Sequence, residues 1–173
     1  MAKTKGGVRP VSRRTTTYQN RWADYQSLMQ SDKYSDGFFS EKGGGFYVVE
    51  NSTFKHKPEE MEAATHLADS GYKVYLTSET GHIKTKEGDV FSYSYEQSTP
   101  KDAKGGHGVK KCLGHAKSKG VDVAVIYDKH QRFSSKNISA GIQEFEKYNK
   151  KYRFKRIIVI DHNGKVHTHK HES

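Results

Sequence analysis

A carboxylate, Glu96, ends the run Val90-Phe91-Ser92-Tyr93-Ser94-Tyr95, and an imidazole, His130, lies beside Lys129 and close to Arg132 in a polar stretch farther along. A carboxylate and an imidazole suffice to cleave an RNA phosphodiester without a metal. A base takes the proton of the ribose 2′-OH, an acid gives one to the leaving 5′-oxygen, and cations hold the crowded phosphate. His130 is the preferred imidazole because basic neighbours and a phosphate would tune it near neutral pH, with His82 and His107 as substitutes. Lys86, Lys101 and Arg132 are candidates for the phosphate, Arg132 being able to grip two oxygens at once. On a regular strand Ser94 and Ser98 share the face of Glu96 and can orient it. Tyr93 and Tyr95 are candidates for stacking bases. The competing reading is structural: Glu96 pairs with Lys101 at a strand end, His130 is an exposed loop residue, and the tyrosines are packing groups.

A second chemistry is metal-dependent. Glu60, Asp89 and Glu96 could converge on Mg2+, which takes hard oxygen ligands. Seven residues along one regular strand point Asp89 and Glu96 to opposite faces, so this needs a bulge or break near Ser92. Glu60 alone reads as a partner for the positive end of a helix. The expectation is therefore no cofactor, with Mg2+ as the alternative. His162, His167, His169 and His171 lie close to the C-terminus, where a frayed strand would bind metal only adventitiously. Cys112, the single cysteine, falls on the apolar face of a helix and reads as a small core residue.

The elements that must position these groups follow from spacing. Pro58 suits a first helical turn, Glu59, Glu60 and Glu62 favour its dipole, Met61, Ala64, Leu67 and Ala68 form one apolar face, and Gly71 stands at a left-handed cap. Tyr72 to Leu76 alternates as a strand, and Thr85 to Asp89 reads as a turn before a strand from Val90. Ahead of these, residues 1–17, with Arg13 and Arg14, read as a flexible basic arm. Residues 18–45 comprise a helix striped by Tyr18, Trp22, Tyr25 and Met29 and then a loop from Ser31. Its Gly43-Gly44-Gly45 is at most a weak phosphate-cradle signal. Phe46 to Val49 reads as an edge strand. Thr99 to Gly108 is a flexible loop, and Val109, Cys112, Leu113 and Ala116 stripe a helix whose polar face carries Lys110, Lys111 and His115. Val121 to Tyr127 is a central buried strand. Ser134 or Ser135 caps a helix striped by Ile138, Ile142, Phe145 and Tyr148, and Asn163-Gly164 turns the last hairpin. The fold expected is α/β (α+β): one domain over residues 46–169, with a mixed, mainly antiparallel sheet, about three flanking helices, and a tail at 170–173.

Composition bounds the partner. Thirty Lys and Arg against twenty Asp and Glu give a formal charge of +10, which favours a polyanion through counterion release. Lys110, Lys111, Lys129, Arg13 and Arg14 are the candidate nucleic-acid contacts beside Tyr93 and Tyr95. No apolar run is long enough to span a bilayer, and no secretory signal opens the chain, so a cytoplasmic protein without a membrane partner is expected.

The order Glu60, Ala63, Ala64, Leu67, Gly71, Val74, Leu76, then Asp89 and Glu96, then Ala116 and Val121-Asp122-Val123-Ala124-Val125-Ile126-Tyr127-Asp128 carries a resemblance over roughly residues 44–169. It resembles the C-terminal nuclease domains of phage head-associated proteins and of bacterial contact-dependent and other polymorphic toxins. These are grouped with barnase, EndoU, colicin and RelE-like nucleases and with restriction-endonuclease-like relatives. The resemblance implies RNA, tRNA among them, as substrate, Glu96 as base and an imidazole as acid. It also implies delivery with a toxin or phage particle, and an immunity protein or a phage head protein as partner. Many such domains read Glu-x-Lys where this chain has Glu96-Gln97-Ser98, a departure that removes a lysine a metal-dependent site would use.

Overall fold

A computed structural model describes residues 7–78, 80–102 and 105–170. They fall into two compact units, residues 1–93 and 94–173. The expected class holds: helices flank a mixed sheet, and each unit contains the order β-α-β-β.

In the first unit, α1 (Thr16–Gln30) precedes β1 (Tyr34–Phe39) and β2 (Phe46–Glu50), then α2 (Pro58–Asp69), β3 (Lys73–Leu76) and β4 (Gly81–Lys84). β1 and β2 pair antiparallel, β2 and β3 parallel, β3 and β4 antiparallel. Thr15 caps α1 by accepting from the Tyr18 amide. The expected aromatic stripe docks this helix: Tyr18 is buried, and Tyr18, Trp22 and Tyr25 all meet the Phe39 ring. Tyr25, Leu28 and Met29 pack on Phe46, Val48 and Tyr75. α2 packs against β2 and β3 and buries Ala63, Ala64, Leu67 and Ala68, with Gly71 at φ +95 as its left-handed cap.

Two expectations change here, and the triple glycine acquires a role. The stretch 31–45, read as loop, contains β1, and its pairing makes β2 an internal strand rather than an edge. Asp36-Gly37 hid β1, because both residues are poor strand formers; at Gly37 a Cβ would lie 2.8 Å from the Met29 sulfur of α1, which would have to give way. The triple glycine is a packing device rather than a phosphate cradle. A Cβ at Gly43 would stand 2.0 Å from the Asp69 carbonyl oxygen, and one at Gly45 2.4 Å from that of Ala68. That closeness lets the Gly45 amide donate to the Ala68 carbonyl in the last turn of α2, which also accepts the Gly71 amide.

The basic arm is anchored from Gly7 on; residues 1–6 lie outside the described residues. Gly7 bridges to Lys86, and the Val11 amide donates to Gly43. Arg21, 2 % exposed, donates from Nη1 to the carbonyls of Arg9 at 3.0 Å and Gly43 at 3.3 Å, while Nη2 meets the Glu87 carboxylate. An arginine so buried is held by being paired and hydrogen-bonded.

In the second unit, β5 (Tyr93–Ser98, beginning one residue before the division), α3 (Gly105–Ser118), β6 (Val123–Tyr127), α4 (Ser135–Tyr148), β7 (Arg156–Ile160) and β8 (Val166–Lys170) follow in order. β5, β6 and β7 run parallel, and β8 pairs antiparallel with β7. β6 is central and buried throughout, as expected. Val109, Cys112, Leu113 and Ala116 of α3 pack with Ile142 and Phe145 of α4 over Ala124, Ile126, Ile157 and Val159. Two details differ from expectation. α3 begins at Gly105, not Val109, because Gly106 and Gly141 let the two helices touch: a Cβ at Gly141 would lie 2.5 Å from that of Val109. Tyr148 leaves the α4 stripe for the surface, 65 % exposed, under the Lys110 ammonium.

These close approaches predict opposite signs for three glycine substitutions. Gly43→Ala and Gly141→Ala should each destabilise by about 1–3 kcal/mol, as overpacking does. Gly114→Ala, where a Cβ meets nothing within 4 Å on α3, should stabilise by about 0.5–1 kcal/mol. Urea unfolding midpoints of the three variants check both.

Candidate functional site

Glu96 is the fourth residue of β5 and stands beside Ala124 in the parallel ladder. Ala124 belongs to the core under α3 and α4, so Glu96 points to the helix side of the sheet. α3 turns its apolar stripe onto β6, which leaves His115, three residues after Cys112, on the flank. There His115 Nε2 comes within 3.5 Å of Glu96 Oε1, with the side chains 53 % and 28 % exposed. The imidazole that meets Glu96 is therefore His115, a residue placed by sequence only on the polar face of α3, and not His130. One signal pointed to it: a βαβ crossover lays its helix across the strands it connects, so a polar residue on that helix's flank can meet a strand carboxylate.

His107, Lys111 and His115 are spaced four apart along α3 and all exposed, forming one cationic stripe. Lys111 has no ion pair among the described residues. Lys110 is engaged: its ammonium donates to Glu144 at 3.2 Å and covers the Tyr148 ring. Ser94 does not orient Glu96. Its hydroxyl accepts from the Asp122 amide at 3.2 Å and donates to the Asp122 carboxylate at 3.4 Å, tying β5 to the entry of β6.

The segment holding His130 and Arg132 leaves β6 four residues beyond Ala124, about 13 Å along the strand at roughly 3.3 Å per residue. This explains why sequence proximity to the buried strand did not translate into contact with Glu96. The segment is rigidly built. Asp128, buried, accepts the amides of Arg132 at 2.7 Å and Phe133 at 3.1 Å, and Gln131 between them takes φ +52. Ser134 and Asn137 then form a reciprocal cap on α4. Lys129 and His130 are exposed, and Arg132 is half-buried with its Nε buried and lacking a hydrogen-bond partner. Lys101 is exposed, after β5.

The remaining candidates divide between surface and structure. Tyr95 is 4 % exposed and belongs to the core, so it cannot stack a base as expected; Tyr93 is half-buried. Asp89 caps a turn by accepting the Lys86 amide at 3.0 Å, while the Lys86 side chain is exposed. The strand expected from Val90 starts at Tyr93, and Val90 and Phe91 stand 80 % and 83 % exposed. Glu60 is bonded to His56 Nδ1 at 2.8 Å. Among the described residues no group of three or more His, Cys, Asp or Glu is placed to hold a metal ion. His82 faces Tyr75 across the β3–β4 ladder, His107 starts the α3 stripe, and Arg13 and Arg14 are exposed before α1.

His167 and His169 are not frayed but lie in β8, with His171 outside the described residues. His167 Nε2 meets the Asp161 carboxylate at 3.0 Å. Burial pushes the Asp161 carboxyl up, but hydrogen bonds from His167 and from the Lys165 and Asn163 amides outweigh it and hold the group below its ordinary value. Cys112 is buried as expected, and burial, with the Asp128 charge adding, pushes its thiol up to about 11. Among the described residues no helix is long and apolar enough to cross a membrane.

No family model matches the chain, and no characterised protein matches it in sequence. Among solved structures, the chain is similar to a CdiA-CT/CdiI toxin and immunity complex from Burkholderia pseudomallei. The two are 18 % identical, with a TM-score of 0.47, over 70 % of this chain and 98 % of that one. At that level of likeness the site must be read from its own residues.

The Asp128 anchor makes a local prediction. Asp128→Ala leaves the Arg132 and Phe133 amides unpaired, at a cost of about 1–3 kcal/mol. Hydrogen exchange should accelerate at those two amides before it does in β6.

Proposed function

We propose that the chain is a nuclease that cleaves RNA by metal-independent transesterification, with Glu96 and His115 sharing the acid–base work. The observation that carries this reading is the Glu96–His115 contact at 3.5 Å. A carboxylate and an imidazole, both reachable by solvent, stand together on the flank of a cationic helix stripe. In the reaction, Glu96 accepts the proton of the 2′-OH as the 2′-oxygen bonds to phosphorus. The P–O5′ bond breaks, and imidazolium His115 gives its proton to the departing 5′-oxygen. Lys111 and His107, one and two turns before His115 on the exposed face of α3, supply positive charge for the phosphate oxygens, and the formal charge of +10 draws the polyanion to the surface. His130 and Arg132 then serve as phosphate contacts rather than as the acid. Glu60 and Asp89 are spent on a histidine and a turn amide, and position 98 is Ser rather than Lys; both favour the metal-free route over a divalent-metal one.

The second reading, a nucleic-acid-binding accessory module without turnover, is supported by that same Ser98. Labelled tRNA separates the two, being cut with a 2′,3′-cyclic phosphate product in the first case and only retarded in a gel in the second. On the nuclease reading, Glu96→Gln and His115→Ala each lower the cleavage rate by about 10²–10⁴-fold with binding retained, and EDTA changes nothing. Lys111→Gln weakens binding and reduces its salt dependence by about one phosphate contact. Unchanged cleavage in Glu96→Gln removes that residue from the mechanism.

A further inference from the structure

The first unit carries a groove of about 390 Å3 between α1 and the β3–β4 hairpin, lying wholly within residues 1–93. That volume falls in the roughly 300–1,000 Å3 range of small-molecule clefts. Alternation builds its floor: Tyr75 pairs with His82 across the ladder, and Lys84, two residues after His82, shares their face, the one on which α1 packs. Asp24 and Leu28, one turn apart on α1, form one wall, and Lys33 and Tyr34 at the start of β1 form another.

The charges in this groove do not cancel. Among the described residues that line it, the one carboxylate, Asp24, is taken by Lys73 at 2.7 Å. Lys33 and Lys84 have no carboxylate within ion-pair distance among the described residues. Each ammonium instead lies over a tyrosine ring, Lys33 over Tyr34 at 5.5 Å and Lys84 over Tyr75 at 5.7 Å. Burial, with the nearby Lys73 charge adding, pulls the Lys84 ammonium below its ordinary value, and the Asp24 and Asp89 charges offset this only in part. Burial and the Asp24 charge push the Tyr75 hydroxyl up, which keeps it a proton donor. Two ammonium groups on aromatic faces, a hydroxyl donor and a half-buried tyrosine ring match a ligand with an anionic end and a flat π-surface.

We propose that this groove binds a nucleotide, its phosphate drawing Lys33 off the Tyr34 ring toward Lys84, which frees that ring face for the base. The site uses none of the residues of the Glu96–His115 pair, so it stands whether or not that pair cuts RNA. The ligand can be a free nucleotide or one unit of a single strand, since both offer the same phosphate and base.

The test is calorimetric titration of the full chain with AMP and, separately, with a 2′-O-methyl hexaribonucleotide, which lacks the hydroxyl needed for cleavage. Lys84→Gln and Lys33→Gln should each weaken binding by about tenfold, the loss expected for one charge-assisted hydrogen bond. Unchanged thermal melting would confirm that the fold survives, and Lys33, exposed on the groove rim, keeps the test valid if Lys84→Gln unfolds. AMP binding that both substitutions weaken assigns a free-nucleotide site. Binding of the hexamer alone, weakened in the same way, assigns a strand-binding site. No binding of either at millimolar concentration, or affinities that neither substitution changes, overturns the proposal.

Discussion

The meeting of Glu96 and His115 in the second unit depends on how α3 is seated on β6. Val109, Leu113 and Ala116 are buried essentially completely, and Gly106 and Gly141 let α3 and α4 come into backbone contact. Together these fix the rotation of α3 about its axis. Successive helix residues are about 100° apart, so a one-residue slip of the buried stripe would carry His115 away from the sheet. With the stripe as it is, His115 lies beside β5, where the strand's alternation presents Glu96. Among the described residues neither group is held by a hydrogen-bond network of its own; their meeting is a by-product of apolar packing a few ångströms away.

The acidic residues explain which cations remain available. With 20 carboxylates against 30 lysines and arginines, most acids that face a cation are committed to structure. Asp24 binds Lys73, Glu144 binds Lys110, Glu87 meets the buried Arg21, and Asp69 pairs with Lys42 while accepting from Ser40. Asp128 is spent on two backbone amides. Among the described residues, Lys111 on α3 and Lys33 and Lys84 in the groove make no ion pair. In a chain of this charge balance the surplus is general, but its concentration beside a carboxylate–imidazole pair and over two tyrosine rings is particular. A phosphate at either place would meet cations that make no ion pair among the described residues, which makes the attraction stronger than that of a surface lysine already paired.

Much of the architecture was legible from local signals. Pro58, the acidic first turn and Gly71 marked α2; the β-branched run to Tyr127 marked β6; Ser134 marked the start of α4; and Asn163-Gly164 marked the last hairpin. Each of these rests on backbone preferences or periodicity within a few residues, so it needs no partner. β1 was hidden because Asp36-Gly37 has turn chemistry, and Gly37 is tolerated in a strand only because Met29 of α1 fills the space beside it. The packing role of the triple glycine was hidden in the same way, since what it accommodates is the end of α2, some 25 residues later.

The sequence by itself determined the basic charge, the helices and central strands, the burial of Cys112 and the presence of a carboxylate on the tyrosine-rich strand, because all of these follow from composition and short-range pattern. Which imidazole meets that carboxylate was decided only by tertiary structure. So were the burial of Tyr95, the desolvated pairing of Arg21 with Glu87, and the gathering of Lys33 and Lys84 around one groove. The reason is physical: each is a contact between elements brought together by core packing, and spacing along the chain carries no record of the rotation and register at which two elements meet.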